Sequence, residues 1–124
     1  LIDLAVPALP ERTGCAFVEF ARRHGDYALA GAAAVITRAA DGVCTGVSAV
    51  LMSVGERPMP AVQVAATLTG QQPTAEAIGQ AASAAARRDI DPHSDVHATS
   101  DYRRHLAEVM LVRALTAAAE RAGA

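Results

Sequence analysis

Phe17-Val18-Glu19-Phe20-Ala21-Arg22-Arg23-His24-Gly25-Asp26-Tyr27-Ala28 decides the reading of this chain. It opens as a strand, with Phe17 and Glu19 on one side and Val18 and Phe20 on the other, a period of two. The next six residues gather two cations, an imidazole, a glycine, a carboxylate and a phenol. The apolar run from Ala28 to Ile36 then anchors that polar corner against a core. A strand ending in such a corner is a natural place for a ligand or a neighbouring domain.

Outward from it, Tyr27 to Thr37 could be helix by alanine propensity or strand by context. Val35, Ile36 and Thr37 are β-branched, and Ala40-Asp41-Gly42-Val43 reads as a hairpin turn, so strand is chosen. Val43 to Val54 continues as a strand with apolar residues on both faces, as expected where both faces are covered or nearly so. On the other side, Leu1 to Val6 reads as a strand stopped by Pro7 and Pro10, and Glu11 to Gly14 as a turn. Gly55 to Pro60 is expected to break the sheet.

The second half reads as helical. Ala61 to Leu68 is a short helix closed by Gly70. Thr74 caps a longer one, with Glu76 in its first turn and Arg87 and Arg88 in its last, as the helix dipole favours. Ile90 to Ala98 is a loop, and Thr99 or Ser100 caps a final helix whose apolar face carries Leu106, Val109, Met110 and Val112. The expected fold is α+β: an antiparallel sheet of three to four strands packed by about three helices on one face. Residues 1–124 are expected to form one domain, strand-rich over 1–60 and helical over 61–124.

Composition narrows the function classes. Apolar residues make up 52% of the chain, yet there are only two Phe, two Tyr and no Trp. With alanine as the main contributor, the core must rely on closely packed backbones and branched aliphatics. A net charge of -2 gives no reason to expect nucleic acid or an anionic membrane as partner. No apolar run is long enough to span a bilayer, and no basic-plus-apolar leader opens the chain, so a cytoplasmic location is expected. The absence of an initiator Met suggests an excised domain or trimmed numbering.

Cys15 and Cys44 read as reduced thiols at strand starts, without the C-x-x-C or Cys/His spacing of a metal or redox site. Asp91, His93, Asp95, His97, Asp101 and His105 are ligand types, but their spacing suits a capped, hydrogen-bonded loop better than a metal centre. No metal site is expected. Arg103 and Arg104 open the last helix, where the dipole disfavours bare cations. They should therefore meet carboxylates of the preceding loop, backbone carbonyls or an acidic partner surface. Arg22 and Arg23 have Asp26 or Glu19 as counter-ions. The glycines are scattered, with no G-x-G-x-x-G or Walker pattern, and no nucleophile elbow is present.

Three stretches carry a resemblance. Phe17 to Ala28 resembles the first signature of the C-terminal domain of the FAD-binding (medium) subunit of molybdenum hydroxylases, the carbon monoxide dehydrogenase and xanthine dehydrogenase relatives. Ser94-Asp95-Val96-His97-Ala98-Thr99-Ser100-Asp101-Tyr102-Arg103-Arg104-His105-Leu106, continuing through Arg113-Ala114-Leu115, resembles a second and more specific one. Between them, Ser53-Val54-Gly55-Glu56-Arg57-Pro58-Met59 is similar to a Gly-Val-Gly-x-x-Pro turn, with Ser53 in place of glycine. The resemblance spans nearly the whole chain.

It implies a domain lying beside the isoalloxazine of FAD, whose phosphates are held by preceding N-terminal domains. On that likeness Tyr27 approaches the flavin ring, Asp26 and Arg22 support it, and Glu19 stands where many relatives carry Lys. It also implies iron–sulfur and molybdenum subunits as partners, electrons passing from molybdenum through two clusters to FAD. No FAD is expected on the chain by itself. The second reading is a stand-alone relative, recruited without FAD to bind, cyclise or isomerise a small apolar molecule. That molecule would sit on a concave surface beside Tyr27, with His24, Asp26 or Tyr27 as acid or base. A third is an assembly module that pairs with itself. An alanine-rich sheet without neighbouring domains favours a homodimer in any case.

Overall fold

The computed structural model describes residues 2–124. Four strands, β1 (Thr13–Phe20), β2 (Ala30–Arg38), β3 (Cys44–Met52) and β4 (Met59–Pro60), precede three helices, α1 (Val62–Leu68), α2 (Ala75–Arg88) and α3 (Ser100–Gly123). The strands form an antiparallel sheet in sequence order. The expected α+β outline is therefore what the chain adopts.

Period-two alternation sorts the sheet into two unlike faces. Gly14, Ala16 and Val18 of β1 share the inner face with Ala32, Ala34 and Ile36 of β2 and with Ala49 and Leu51 of β3. Helix α3 lies across β1 and β2, α1 packs on β3, and α2 fits between α1 and α3. Small side chains make this possible. α2 buries Ala77, Ala81, Ala82, Ala85 and Ala86, and α3 buries Ala107, Ala114, Ala118 and Ala122. The approach is closest at Gly14, where a Cβ would run into the Ala118 carbonyl and the Ala122 amide. Helix α3 thus rests on the sheet backbone, and Leu111 and Leu115 fill what remains.

Caps account for the helix boundaries. The Thr74 hydroxyl accepts from the Ala77 amide, and the Thr99 hydroxyl from the Tyr102 amide. Helix α1 has no side-chain cap of its own. Its Gln63 amide is instead held by the Asp89 carboxylate at the end of α2, 2.9 Å away.

Three expectations are corrected. The strand expected over 1–6 is absent over 2–6, which forms no strand and is exposed, while Leu1 lies outside the described residues. β3 is covered on one face only. Its outward Val50 and Met52 stay half-buried, because the helices pack solely against the inner face. The stretch after Gly55 does not end the sheet, since Met59 and Pro60 return to pair with Leu51 and Val50.

Candidate functional site

The polar corner is the loop between β1 and β2. It closes where the Leu29 amide donates to the Phe20 carbonyl at 2.8 Å. Inside it the Asp26 amide donates to the Arg23 carbonyl at 3.1 Å, and Gly25 takes φ 85°, a conformation that suits glycine. Arg22 and Asp26 pair at 3.6 Å through side chains 49% and 40% exposed, so the pair orients the loop more than it stabilises it. Tyr27 lies just beyond, with its side chain 98% exposed, two residues before the buried Leu29. His24 is also exposed and makes no side-chain hydrogen bond or ion pair among the described residues.

This geometry corrects the concave surface expected beside Tyr27. The phenol stands on a tip with no wall around it. The clefts of about 300 and 440 Å³ lie elsewhere, one between Arg38 and the start of α2, the other between the Ser53–Met59 turn and the Ile90–Ala98 loop.

What Tyr27 does adjoin in sequence is a sheet with an open outer face. Cys15, Phe17 and Glu19 of β1 stand opposite Val35, Ala33 and Gly31 of β2, and Ser48, Val50 and Met52 of β3 complete the rows. Phe17 is 57% exposed there. Gly31 has no side chain, and Met52 lies over it. The result is an open, largely apolar surface with one carboxylate, Glu19, and one hydroxyl, Ser48.

Arg103 ties the corner to the other two stretches of interest. It is 8% exposed, and its Nη1 donates to the Leu29 carbonyl at 2.9 Å and to the Ser53 carbonyl at 3.2 Å. Its Nη2 meets Asp95 at 2.6 Å. Asp95 in turn accepts from the His97 and Ala98 amides, and these backbone bonds, helped by Arg103, hold its carboxyl below the usual range. Arg104 donates to the Ala86 and Ile90 carbonyls and pairs with Asp91 at 3.4 Å. The two arginines find the loop carboxylates and carbonyls that the helix start demanded. That Arg103 reaches as far as Leu29 and Ser53 was missed, because neither carbonyl is near it in sequence.

Ser53 sits at φ 62°, in the left-handed region. The glycine expected in this turn would take that conformation without strain. Among the described residues no three His, Cys, Asp or Glu side chains come together as metal ligands. Cys15 is exposed on the outer sheet face, whereas Cys44 is buried, and burial pushes its thiol up, partly offset by Arg38.

Residues 15–118 match the family described as CO dehydrogenase flavoprotein C-terminal domain. This chain belongs to that family. Its members include stretches of longer proteins. The 6-hydroxypseudooxynicotine dehydrogenase complex subunit alpha of Paenarthrobacter nicotinovorans is 34% identical over 98% of this chain, which covers 41% of that protein. The carbon monoxide dehydrogenase medium chain of Afipia carboxidovorans is 34% identical over 98% of this chain and 42% of its own length. The chain thus spans about two fifths of these relatives. Among solved structures, carbon monoxide dehydrogenase from Hydrogenophaga pseudoflava superposes with a TM-score of 0.87 at 34% identity, covering 94% of this chain and 40% of that one. Quinoline 2-oxidoreductase from Pseudomonas putida 86 gives 0.83 at 34% identity, covering 89% and 38%. The family's sheet and three helices are those described above, and the polar corner, the Ser53 turn and the Asp95 loop all fall within the matched residues.

Among the described residues no helix is long and apolar enough to cross a membrane.

Proposed function

We propose that this chain is the C-terminal domain of the FAD-binding subunit of a molybdenum hydroxylase, and that it walls the flavin rather than holding the dinucleotide. One observation carries the reading: a tyrosine ring held out in solvent at the end of an open apolar sheet face. An exposed aromatic of that kind is suited to cover a planar, mostly apolar ring.

The residues fit one end of FAD and not the other. Phe17, Ala33, Val50 and the Tyr27 phenol suit a flat heterocycle, and Glu19, Arg22 and Asp26 offer polar contacts at its margin. No glycine-rich loop like those that cradle a pyrophosphate occurs in the sequence. The phosphates would then be held by N-terminal FAD-binding domains, as the longer relatives allow. Bound FAD supplies electron-accepting chemistry. On this reading, Tyr27 excludes water from one side of the ring, and the Arg22–Asp26 pair fixes the loop that presents it. Arg103 holds the base of that loop through the Leu29 carbonyl. Iron–sulfur and molybdenum subunits are the partners this reading implies. As an isolated chain, the same open face pairs with a second copy to form a homodimer.

The test is Tyr27→Ala in the full-length subunit. Loss of one aromatic contact weakens FAD binding roughly tenfold and lowers turnover of the assembled complex. Unchanged flavin affinity and turnover would remove Tyr27 from the site. Tight FAD binding by residues 1–124 alone would overturn the division of labour itself.

A further inference from the structure

Residues 21–28 keep their shape with their own groups. The bond from the Asp26 amide to the Arg23 carbonyl and the Arg22–Asp26 pair are both internal. Among the described residues no hydrogen bond or ion pair joins this loop to another element. Attachment falls to Leu29, which is buried and bonded on both sides. Its amide donates to the Phe20 carbonyl at 2.8 Å, and its carbonyl accepts from Arg103 Nη1 at 2.9 Å. The first bond closes the hairpin; the second depends on where a side chain of α3 points.

Asp95 aims that side chain. A guanidinium is a planar fork, so fixing one arm fixes the other. Asp95 Oδ2 takes Nη2 at 2.6 Å, while its Oδ1 accepts from the His97 and Ala98 amides at 2.8 and 3.0 Å. The Asp95 amide donates to the Ala98 carbonyl, and the Ser100 amide to Ser94 Oγ, which fastens the turn to the start of α3. The carboxylate is thus itself held in place. Asp91, in the same loop, stands differently. Its side chain is 95% exposed and pairs at 3.4 Å with Arg104, whose other bonds go to the Ala86 and Ile90 carbonyls.

We propose that Asp95 is a positioning residue for Tyr27. It acts through Arg103, whose aimed arm holds the Leu29 carbonyl and so sets where the 21–28 loop stands beside the open sheet face. What the placed ring covers rests on the flavin reading; the placement itself does not.

The full-length subunit tests both, by amide hydrogen exchange and by the emission of bound FAD. Asp95→Asn keeps the size of the side chain and removes its charge. It should speed exchange of the Leu29 amide about tenfold more than that of the α2 amides. Asp95→Glu keeps the charge at a longer reach and should do so by about threefold, whereas Asp91→Asn should leave Leu29 at its wild-type rate. A phenol against the isoalloxazine quenches its emission, so Asp95→Asn should also raise emission, and should add nothing in a Tyr27→Ala background. Wild-type Leu29 exchange in both Asp95 variants overturns the proposal. So does equal acceleration of Leu29 and α2, a matching effect of Asp91→Asn, or an emission change that adds to that of Tyr27→Ala. If Tyr27→Ala leaves the emission unchanged while Asp95→Asn still frees Leu29, the positioning stands and the flavin reading falls.

Discussion

The Arg103 guanidinium donates to the Leu29 carbonyl at 2.9 Å, across 74 residues of sequence, at the point where the Tyr27 loop enters β2. The same side chain reaches Ser53 and Asp95, so one buried cation joins the three stretches that resemble the family's signatures.

Arg103→Ala strips partners from two carbonyls and one carboxylate. A loss of about 3 kcal/mol in unfolding free energy is expected from urea melts. Arg103→Lys should recover little of it, since one ammonium cannot match a planar fork aimed at three acceptors. Wild-type stability in the lysine variant would show that the fork is dispensable.

Asp95 gives this junction a pH dependence. Its carboxyl lies below the ordinary value of 3.8 because the His97 and Ala98 amides, and then Arg103, favour the charged form. The stabilisation is fully present above pH 3.8 and disappears as pH falls through the lower folded value. Asp95→Asn should flatten the acid limb of a stability–pH curve below about pH 4 and leave its neutral limb parallel to wild type. An unchanged acid limb would exclude Asp95 as a contributor.

Ser53 at φ 62° offers a test of strain. Relief of a left-handed conformation, worth about 1–2 kcal/mol, exceeds glycine's entropic cost of about 0.5–1 kcal/mol. Ser53→Gly is therefore expected to be neutral to slightly stabilising, and Ser53→Val clearly destabilising. Thermal melts that rank valine above glycine would contradict the backbone assignment.

Gly14 and Gly46 form a matched pair in the sheet. A Cβ on Gly14 would strike the α3 backbone, whereas on Gly46 it would meet only Thr37, at 3.7 Å. Gly14→Ala should destabilise by about 3 kcal/mol or prevent folding, and Gly46→Ala should change stability by less than about 1 kcal/mol. Comparable melting temperatures for the two variants would mean that α3 does not sit on β1 as described.

Much of this architecture was legible before any coordinates. β-branched Val35 to Thr37 and the Asp41-Gly42 turn marked the hairpin, and Gly42 indeed takes φ 87° there. Thr74 and Thr99 marked helix starts, because a cap is a local bond between a side chain and an amide three residues on. Apolar content misled at β3, where Val50 and Met52 are as aliphatic as Leu51 but face away from every helix. It misled again at residues 2–6, whose strand pattern has no partner in this domain.

Sequence alone thus determined the order and kind of β1 to β3 and of the three helices, the caps of α2 and α3, the hairpin turn, and the family, since each depends on neighbours within a few residues or on quotable signatures. Only the tertiary structure decided which sheet face stays open, that Tyr27 stands on a tip rather than in a cleft, and that Arg103 also binds the distant Leu29 and Ser53 carbonyls. Those facts depend on where helix α3 lands on the sheet, and that is set by small residues, Gly14 against Ala118 and Ala122, whose closeness no local pattern records.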